Sequence, residues 1–116
     1  MVNSRVAPQA PQPVQQAPEP AARPLAELAD VVSGEVIPVS SGRCIIGRER
    51  ASADIILRDP NVSRRHAELI YTGSGWTIED LNSTNGTSVN NRHVTRCPLR
   101  SGDLVTFGLT TFEFRG

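Results

Sequence analysis

Short apolar runs separated by turn-forming residues recur about every ten positions from residue 25 onward. In the run HAELIY, the side chains of Ala67, Leu69 and Tyr71 fall on one face of an extended chain, and the residues between them fall on the other. The run WTIEDL alternates in the same way. A period of two residues is typical of β-strands that place one face against a core. The pattern therefore predicts an all-β fold, either a sandwich or a barrel.

The first apolar run, LAELADV, is compatible with two kinds of element. Leu25, Leu28 and Val32 have the i, i+3, i+7 spacing of one helix face. A Ser33-Gly34 turn and a second apolar run, EVIPV, follow directly, which favours two short strands joined by a turn. We therefore predict a strand in this first run and no helix elsewhere in the chain.

The large aromatic side chains fall within the predicted strands. Trp76, Phe107, Phe112 and Phe114 account for most of the aromatic residues of the chain. Large aromatic side chains contribute much of the buried apolar surface of a small domain. We expect these four residues to form the centre of the core rather than a ligand cage.

The first 24 residues differ in composition from the rest of the chain. They hold six of the nine prolines and all four glutamines, and five of the other residues are alanine. Such a segment buries too little apolar surface to offset the entropy cost of folding. We predict a disordered linker over residues 1–24 that acts as a spacer, and one folded domain over residues 25–116. A linker before one domain is also typical of a chain cut from a longer protein.

Charge and composition exclude several classes of function. The 116 residues include 12 basic and 12 acidic ones, and every basic residue is arginine. A general nucleic-acid binder carries a basic excess that is missing here, whereas arginine suits bidentate contact with a phosphate or carboxylate. Cys44 and Cys97 lack metal-ligand spacing, so we expect two reduced thiols, no metal and no cofactor. We find no signal peptide or membrane-spanning run, and we expect a cytoplasmic protein.

Three polar loops between the predicted strands carry side chains that bind anions. They cover residues 47–50, 61–66 and 81–87. The second loop has two adjacent arginines beside Ser63, and the third reads LNSTNGT. Each loop taken alone is compatible with a plain turn, because Asn, Ser and Gly are common turn residues.

The three loops together resemble the motifs of the forkhead-associated (FHA) domain family. The motifs are Gly47-Arg48, Ser63-Arg64-Arg65-His66 and Asn82-Ser83-Thr84-Asn85-Gly86-Thr87. The flanking stretches IIGR, DIILRDPNVSRRHAEL and GDLVTFG are similar to the family as well, so that the resemblance covers roughly residues 25–115. It implies an FHA-type β-sandwich of about eleven short strands and a function in binding phosphothreonine peptides. The chain also looks similar to actinobacterial FHA regulatory proteins.

The resemblance implies a role for each motif residue. Arg48, Ser63 and Thr84 are expected to contact the phosphate, Arg64 to lie along the peptide, and Asn85 to hydrogen-bond the peptide backbone. Three residues are expected to support the site: Gly47, His66 and Gly86. Four residues are expected to form a peptide-specificity loop: Asn61, Val62, Asn82 and Ser83.

The expected ligand is a protein phosphorylated on threonine by a Ser/Thr kinase. The kinase itself, a pseudokinase or a kinase substrate fits this description, in signalling that includes bacterial cell-wall synthesis or division. We expect a monomer that binds no nucleic acid, does not insert into a membrane, and is recruited to the membrane only by a phosphorylated partner there.

Two other classes of function fit the sequence less well. A phosphate-independent interaction domain is the main alternative, since a fold does not prove a function. A hydrolase built on Ser63, His66 and Asp80 finds no support, because Ser63 lies in no nucleophile-elbow motif. The chain is therefore not expected to be an enzyme.

Overall fold

The computed structural model describes residues 25–116, and these residues form eleven β-strands and no helix. The predicted all-β fold with about eleven strands is confirmed. No helix in this part of the chain is long and apolar enough to cross a membrane. The strands are β1 (Ala26–Asp30), β2 (Val36–Val39), β3 (Arg43–Gly47), β4 (Ile55–Ile56), β5 (Ala67–Tyr71), β6 (Trp76–Asp80), β7 (Thr87–Val89), β8 (Arg92–Val94), β9 (Arg96–Leu99), β10 (Leu104–Phe107) and β11 (Thr110–Arg115).

The strands form two sheets that pack face to face. One sheet has the order β2-β1-β11-β10-β7-β8, and the other has the order β4-β3-β5-β6-β9. Neighbouring strands are antiparallel, apart from the short parallel pair of β3 and β4. The chain crosses between the sheets several times, so the two layers are held together by loops at both ends. This arrangement is a β-sandwich.

The core lies between the two sheets and contains the four predicted aromatic residues. Phe107, Phe112 and Phe114 are no more than 2% exposed, and Trp76 is 6% exposed, which confirms their assignment to the core. Trp76 packs edge-on against Phe114 at a centroid distance of 6.2 Å. Edge-to-face packing of this kind adds to the stabilisation from apolar burial.

The first apolar run is a strand, as predicted. Residues 26–30 form β1, which pairs with β2 on one side and with β11 on the other. The helical spacing of Leu25, Leu28 and Val32 is therefore incidental, since Leu28 is buried while the other two are exposed. The predicted linker over residues 1–24 lies outside the described residues.

The strand register places the loops that carry the sequence motifs at one end of the sandwich. Ile46 pairs with Ala67, and Ala67 pairs with Asp80, so β3 ends, β5 begins and β6 ends at the same edge. In the other sheet, Thr87 at the start of β7 pairs with Phe107 at the end of β10. We call this edge the loop end. It presents residues 48–54, 57–66, 81–86 and the turn between β10 and β11.

Candidate functional site

The chain turns out of β3 at Gly47, where two backbone segments come very close together. The Gly47 carbonyl accepts a hydrogen bond from Leu57, and the next residue, Arg48, donates its backbone N–H to the carbonyl of Ser63 at 3.0 Å. A Cβ atom on Gly47 would lie 1.9 Å from the backbone oxygen of Arg64. Glycine is therefore required here for close approach, and this contact joins the first polar loop to the second.

The Arg48 side chain is exposed and is held at one end by the second loop. Its Nε donates a hydrogen bond to the carbonyl of Val62 at 2.9 Å. Within residues 25–116 its two terminal nitrogens make no hydrogen bond and no ion pair. The guanidinium therefore has a set direction and keeps its outer donors available for an anion.

His66 is fully buried and ties the second loop to the third. Its Nδ1 accepts the backbone N–H of Ser63 at 3.0 Å, and its Nε2 lies 2.8 Å from the carbonyl of Gly86. An imidazole that accepts at Nδ1 donates from Nε2, so these two contacts select the neutral Nε2–H tautomer. The ring also packs edge-on against Phe107, which places this link directly on the core.

Ser63 and Thr84 are joined by a direct hydrogen bond. The Ser63 hydroxyl oxygen accepts the backbone N–H of Thr84 at 2.9 Å. A hydroxyl that accepts from the backbone still has its own proton to donate. The two hydroxyl-bearing residues are therefore held side by side, and the Ser63 proton can be donated to a bound anion.

Asp80 organises the third loop, a role that the sequence interpretation did not assign. Its Oδ1 accepts hydrogen bonds from the hydroxyls of Ser83 at 2.6 Å and Thr87 at 2.7 Å, and its Oδ2 accepts the Ser83 N–H at 3.0 Å. Burial acts to raise the pKa of Asp80, but these hydrogen bonds outweigh it and lower the pKa below its usual value. The signal in the sequence was Asp followed three residues later by Ser, a common local capping pattern.

Asp59 plays a similar part for the second loop and was also missed. Its side chain accepts hydrogen bonds from the backbone N–H groups of Asn61 and Leu109 and from the hydroxyl of Thr110, each at 2.8 Å. Burial acts to raise the pKa of Asp59, and these bonds again outweigh it, so the pKa is lowered. The 59–62 turn is thereby attached to the turn between β10 and β11.

Asn85 and Gly108 lie on either side of Asn61. The Asn85 side chain donates from Nδ2 to the Asn61 carbonyl at 2.8 Å, which orients its amide group at the loop end. Gly108 has a φ of +61°, and a Cβ on it would lie 2.9 Å from the Asn61 carbonyl carbon. Glycine at position 108 is required on both counts, and sequence alone gave only a generic turn signal there.

The four residues expected to form a specificity loop differ in their exposure. The Val62 side chain is 1% exposed and lies in the core, so that Val62 takes part in the loop through its backbone carbonyl, which accepts the hydrogen bond from Arg48. The Ser83 hydroxyl donates to Asp80 and accepts from the Gly86 N–H. Asn61 is half-buried, and Asn82 is exposed with a φ of 61°. Val62 is thus the one of the four with a buried side chain, and the Ser83 hydroxyl, although half-buried like Asn61, already donates to Asp80.

These residues surround a shallow open depression at the loop end. It has a volume of about 500 Å³ and is lined by Arg48, Glu49, Ser52, Ser63, Arg64, Arg65, Asn82 and Thr84. The carboxylate of Glu49 is occupied by the Ser52 hydroxyl at 2.6 Å. Within the described part of the chain, no carboxylate oxygen lies within 4.0 Å of the guanidinium groups of Arg48, Arg64 or Arg65. The arrangement provides three guanidinium groups without an ion-pair partner and two hydroxyls for an anion, against one acidic residue, Glu49, on the same lining.

Replacing Gly47 with Ala is expected to weaken ligand binding and to destabilise the fold. The added methyl cannot be accommodated 1.9 Å from a backbone oxygen, so the 63–65 segment has to move. Overpacking of this kind costs about 1–3 kcal/mol. Thermal unfolding measures the destabilisation. The matched control is Gly75→Ala, since a Cβ at Gly75 meets nothing within 4 Å. Equal melting temperatures for both variants would contradict the assigned contact.

The comparison with protein families identifies the domain. The FHA domain family matches residues 44–108. "FHA domain-containing protein FhaA" of Mycobacterium tuberculosis is 43% identical over 76 residues, covering 66% of this chain and 14% of FhaA. The match thus spans a small part of that relative's own length.

Solved structures with this fold are similar over most of the described residues. The structure of Mycobacterium tuberculosis EmbR in complex with a low-affinity phosphopeptide has a TM-score of 0.75 and 34% identity, covering 79% of this chain and 24% of EmbR. A structure from a study of phosphothreonine-dependent FHA domain interactions has a TM-score of 0.72 and 38% identity, covering 78% of this chain and 95% of that one. From the match over residues 44–108 and the shared sandwich, the chain belongs to the FHA domain family.

Proposed function

We propose that this domain binds peptides that contain phosphothreonine. The observation that carries the proposal is the convergence of Arg48, Ser63 and Thr84 at one depression, with donors that no neighbouring carboxylate occupies. A phosphate monoester brings a charge of about −1.5 to −2 and three acceptor oxygens. A directed guanidinium and two adjacent hydroxyls match these acceptors in charge and in hydrogen-bonding capacity.

Two further residues fit roles along the peptide. Arg64 is exposed beside the depression, where its guanidinium can reach the phosphate or the peptide main chain. Asn85 is fixed through its amide nitrogen by Asn61, which leaves its amide oxygen free to accept a peptide N–H. Three residues support these contacts by holding the three loops together: His66, Gly47 and Gly86.

The same proposal covers the rest of the chain and its partners. We assign recognition of a phosphorylated protein, with no catalytic activity, to residues 25–116, and a tethering role to residues 1–24. A Ser/Thr kinase, a pseudokinase or a kinase substrate is the class of partner that carries phosphothreonine. The domain acts as a monomer in the cytoplasm, without inserting into a membrane or binding nucleic acid, and reaches the membrane through a phosphorylated partner.

Matched peptides that differ at one residue test the proposal. Calorimetry on the full chain compares phosphothreonine, phosphoserine and unphosphorylated threonine in the same sequence. The unphosphorylated peptide is expected to show no measurable binding. A threonine methyl buried beside Asn85 contributes about 0.8 kcal/mol, so phosphoserine is expected to bind about fourfold more weakly.

One outcome of this comparison would contradict the proposal, and another would contradict only its preference for threonine. Binding of the unphosphorylated peptide with the affinity of the phosphorylated one would favour a phosphate-independent interaction domain. Equal affinities for phosphothreonine and phosphoserine would remove the methyl contact but leave phosphate recognition intact.

A further inference from the structure

An open groove lies at the end of the sandwich opposite the loop end. It has a volume of about 460 Å³, and its lining includes six larger side chains: Leu25, Tyr71, Trp76, Leu99, Arg100 and Phe114. The strand register puts these residues there, because β5 ends at Tyr71 and β6 begins at Trp76, which pairs with Leu99 at the end of β9. We call this feature the apolar groove. It is separate from the depression that carries the phosphate-binding residues.

The surface of the apolar groove is largely aromatic. The rings of Tyr71 and Trp76 are tilted against each other with their centroids 5.3 Å apart, and Trp76 packs edge-on against Phe114. Tyr71 is 49% exposed, and Leu25 on the same lining is 56% exposed. Aromatic-lined grooves are the surfaces that bind proline-rich segments in the polyproline II conformation.

A proline-rich segment of this chain begins at the groove itself. The Leu25 N–H donates to the Val39 carbonyl at 2.7 Å, which fixes the backbone where the first strand starts. Residues 18–24, which come immediately before it, read PEPAARP, and three of these seven residues are proline. Proline restricts a chain to extended, polyproline-type conformations before any contact is made, so the entropy cost of binding is small.

The charges of this segment and of the groove are complementary. Arg100 is exposed, and within residues 25–116 no carboxylate oxygen lies within 4.0 Å of its guanidinium group. Glu19 is the one acidic residue among the first 24 positions. Six residues in the polyproline II conformation span about 19 Å, so Glu19 can reach Arg100 from the fixed position of Leu25.

We propose that residues 18–24 pack into the apolar groove of the same molecule, with their prolines on Tyr71 and Trp76 and with Glu19 facing Arg100. The inference goes beyond the proposed function and does not depend on it. In this arrangement the tether leaves the domain at the end opposite the phosphate site. A partner bound at the loop end therefore meets no competition from the tether.

Two other occupants fit the apolar groove less well. A segment attached next to its binding surface has an effective concentration of about a millimolar, which a free proline-rich peptide has to exceed in order to displace it. A second copy of the folded domain needs about 800 Å² of buried surface on each partner for a stable interface, and a groove with six larger side chains is small for that. The attached segment is therefore the favoured occupant.

Nuclear magnetic resonance on the full chain tests the inference. Trp76 and Tyr71 are the only tryptophan and the only tyrosine, so their ring signals are unambiguous. We expect nuclear Overhauser contacts from these rings to the protons of Pro18 or Pro20. We also expect a backbone order parameter of about 0.85 at Ala21, the value of a rigid backbone.

Two variants of the full chain are expected to abolish these signals. Pro18→Ser combined with Pro20→Ser should remove the contacts to the rings and lower the Ala21 order parameter below about 0.6, the range of a flexible backbone. Tyr71→Ser should lower the order parameter in the same way. The Tyr71 side chain is half exposed, so this variant is expected to stay folded, which the dispersion of its amide signals checks.

The matched control is Pro11→Ser combined with Pro13→Ser, which removes two prolines outside residues 18–24 and is expected to change neither signal. The inference is overturned if the wild type shows no contact to the rings, or if the control pair loses the contacts equally. Contacts that arise only between labelled and unlabelled molecules in a mixed sample would overturn it too, by placing the segment on a second copy. Phosphothreonine-peptide affinity, measured on the same samples, tests the proposed function separately.

Discussion

Replacing Arg48 with Ala is expected to weaken phosphothreonine-peptide binding by about a hundredfold while the domain stays folded. The side chain is exposed, and its Nε bond to Val62 is its one hydrogen bond among the described residues, so the core loses nothing. Each hydrogen bond to a charged group contributes about 1.5–3 kcal/mol, and the two terminal nitrogens account for the expected loss. Calorimetry with one phosphothreonine peptide measures the affinity, and thermal unfolding checks the fold.

Two further variants separate geometry from charge in this test. Arg48→Lys retains the charge but lacks the planar fork with which a guanidinium bonds the Val62 carbonyl and a phosphate at once. We therefore expect it to bind the phosphothreonine peptide nearly as poorly as Arg48→Ala. Arg100→Ala removes the same charge at the opposite end of the sandwich and is expected to bind as the wild type does. Near wild-type affinity for Arg48→Ala would reject the assignment, and an equal loss for Arg100→Ala would show that only the overall charge is sensed.

The overall charge of the chain does not decide this function, because its arginines are used in different ways. Arg43, Arg96 and Arg115 each lie within 4.0 Å of a glutamate carboxylate. Arg48, Arg64 and Arg65 line the depression, where the described residues place no such partner. A zero net charge therefore coexists with a local excess of positive charge at the loop end.

The fold was largely predictable because the relevant signals are local. The alternation in β5 and the places of the aromatic residues follow from burial of one strand face, and the turn residues mark where the strands end. In β6, by contrast, the first three residues are all buried. The order of strands within each sheet could not be obtained in this way. It depends on pairings between distant segments, such as β1 with β11, which no local pattern encodes.

Part of the site was predictable because its motifs are also local in sequence. The sequence motifs pointed to Arg48, Ser63 and Thr84, and the structure brings these residues to one depression. The support by Asp59 was missed because its partner Leu109 lies 50 residues away in sequence. The resemblance implied that Val62 belongs to a peptide-specificity loop, and no local sign in the sequence indicated that its apolar side chain turns into the core.

Replacing Asp80 with Asn is expected to weaken both the fold and the binding site, although Asp80 does not line the depression. Both carboxylate oxygens accept hydrogen bonds, and an amide offers one oxygen only. In either orientation the NH₂ group takes the place of an oxygen that accepts a hydrogen bond from Ser83, so at least one of these bonds is lost. The loss is expected to be about 2–4 kcal/mol of unfolding free energy, since the bonds go to a charged group.

Loosening of the third loop in Asp80→Asn is expected to alter the position of Thr84. Asp80 fixes Ser83, and Ser83 in turn accepts the Gly86 N–H. These two residues lie on either side of Thr84, whose N–H binds the Ser63 hydroxyl. We therefore expect phosphopeptide affinity to fall about tenfold at a temperature where the variant is still folded. The matched control is Asp103→Asn, because Asp103 accepts bonds from Arg100 and Asn90 in a turn at the opposite end. That variant is expected to lose stability but to keep wild-type affinity.

The difference in unfolding free energy between the wild type and Asp80→Asn is expected to become smaller as the pH is lowered. The pKa of Asp80 is lowered in the folded state, with burial opposed by the stronger effect of the Ser83 and Thr87 hydrogen bonds. A carboxylate with a lowered folded pKa contributes its full stability above its unfolded pKa of about 3.9, and this contribution is lost as the pH falls through the folded pKa. Denaturant unfolding should therefore show the full difference at neutral pH and a shrinking one below about pH 4. A difference that stays constant into the acid range would show that the ionised carboxylate is not what holds the loop.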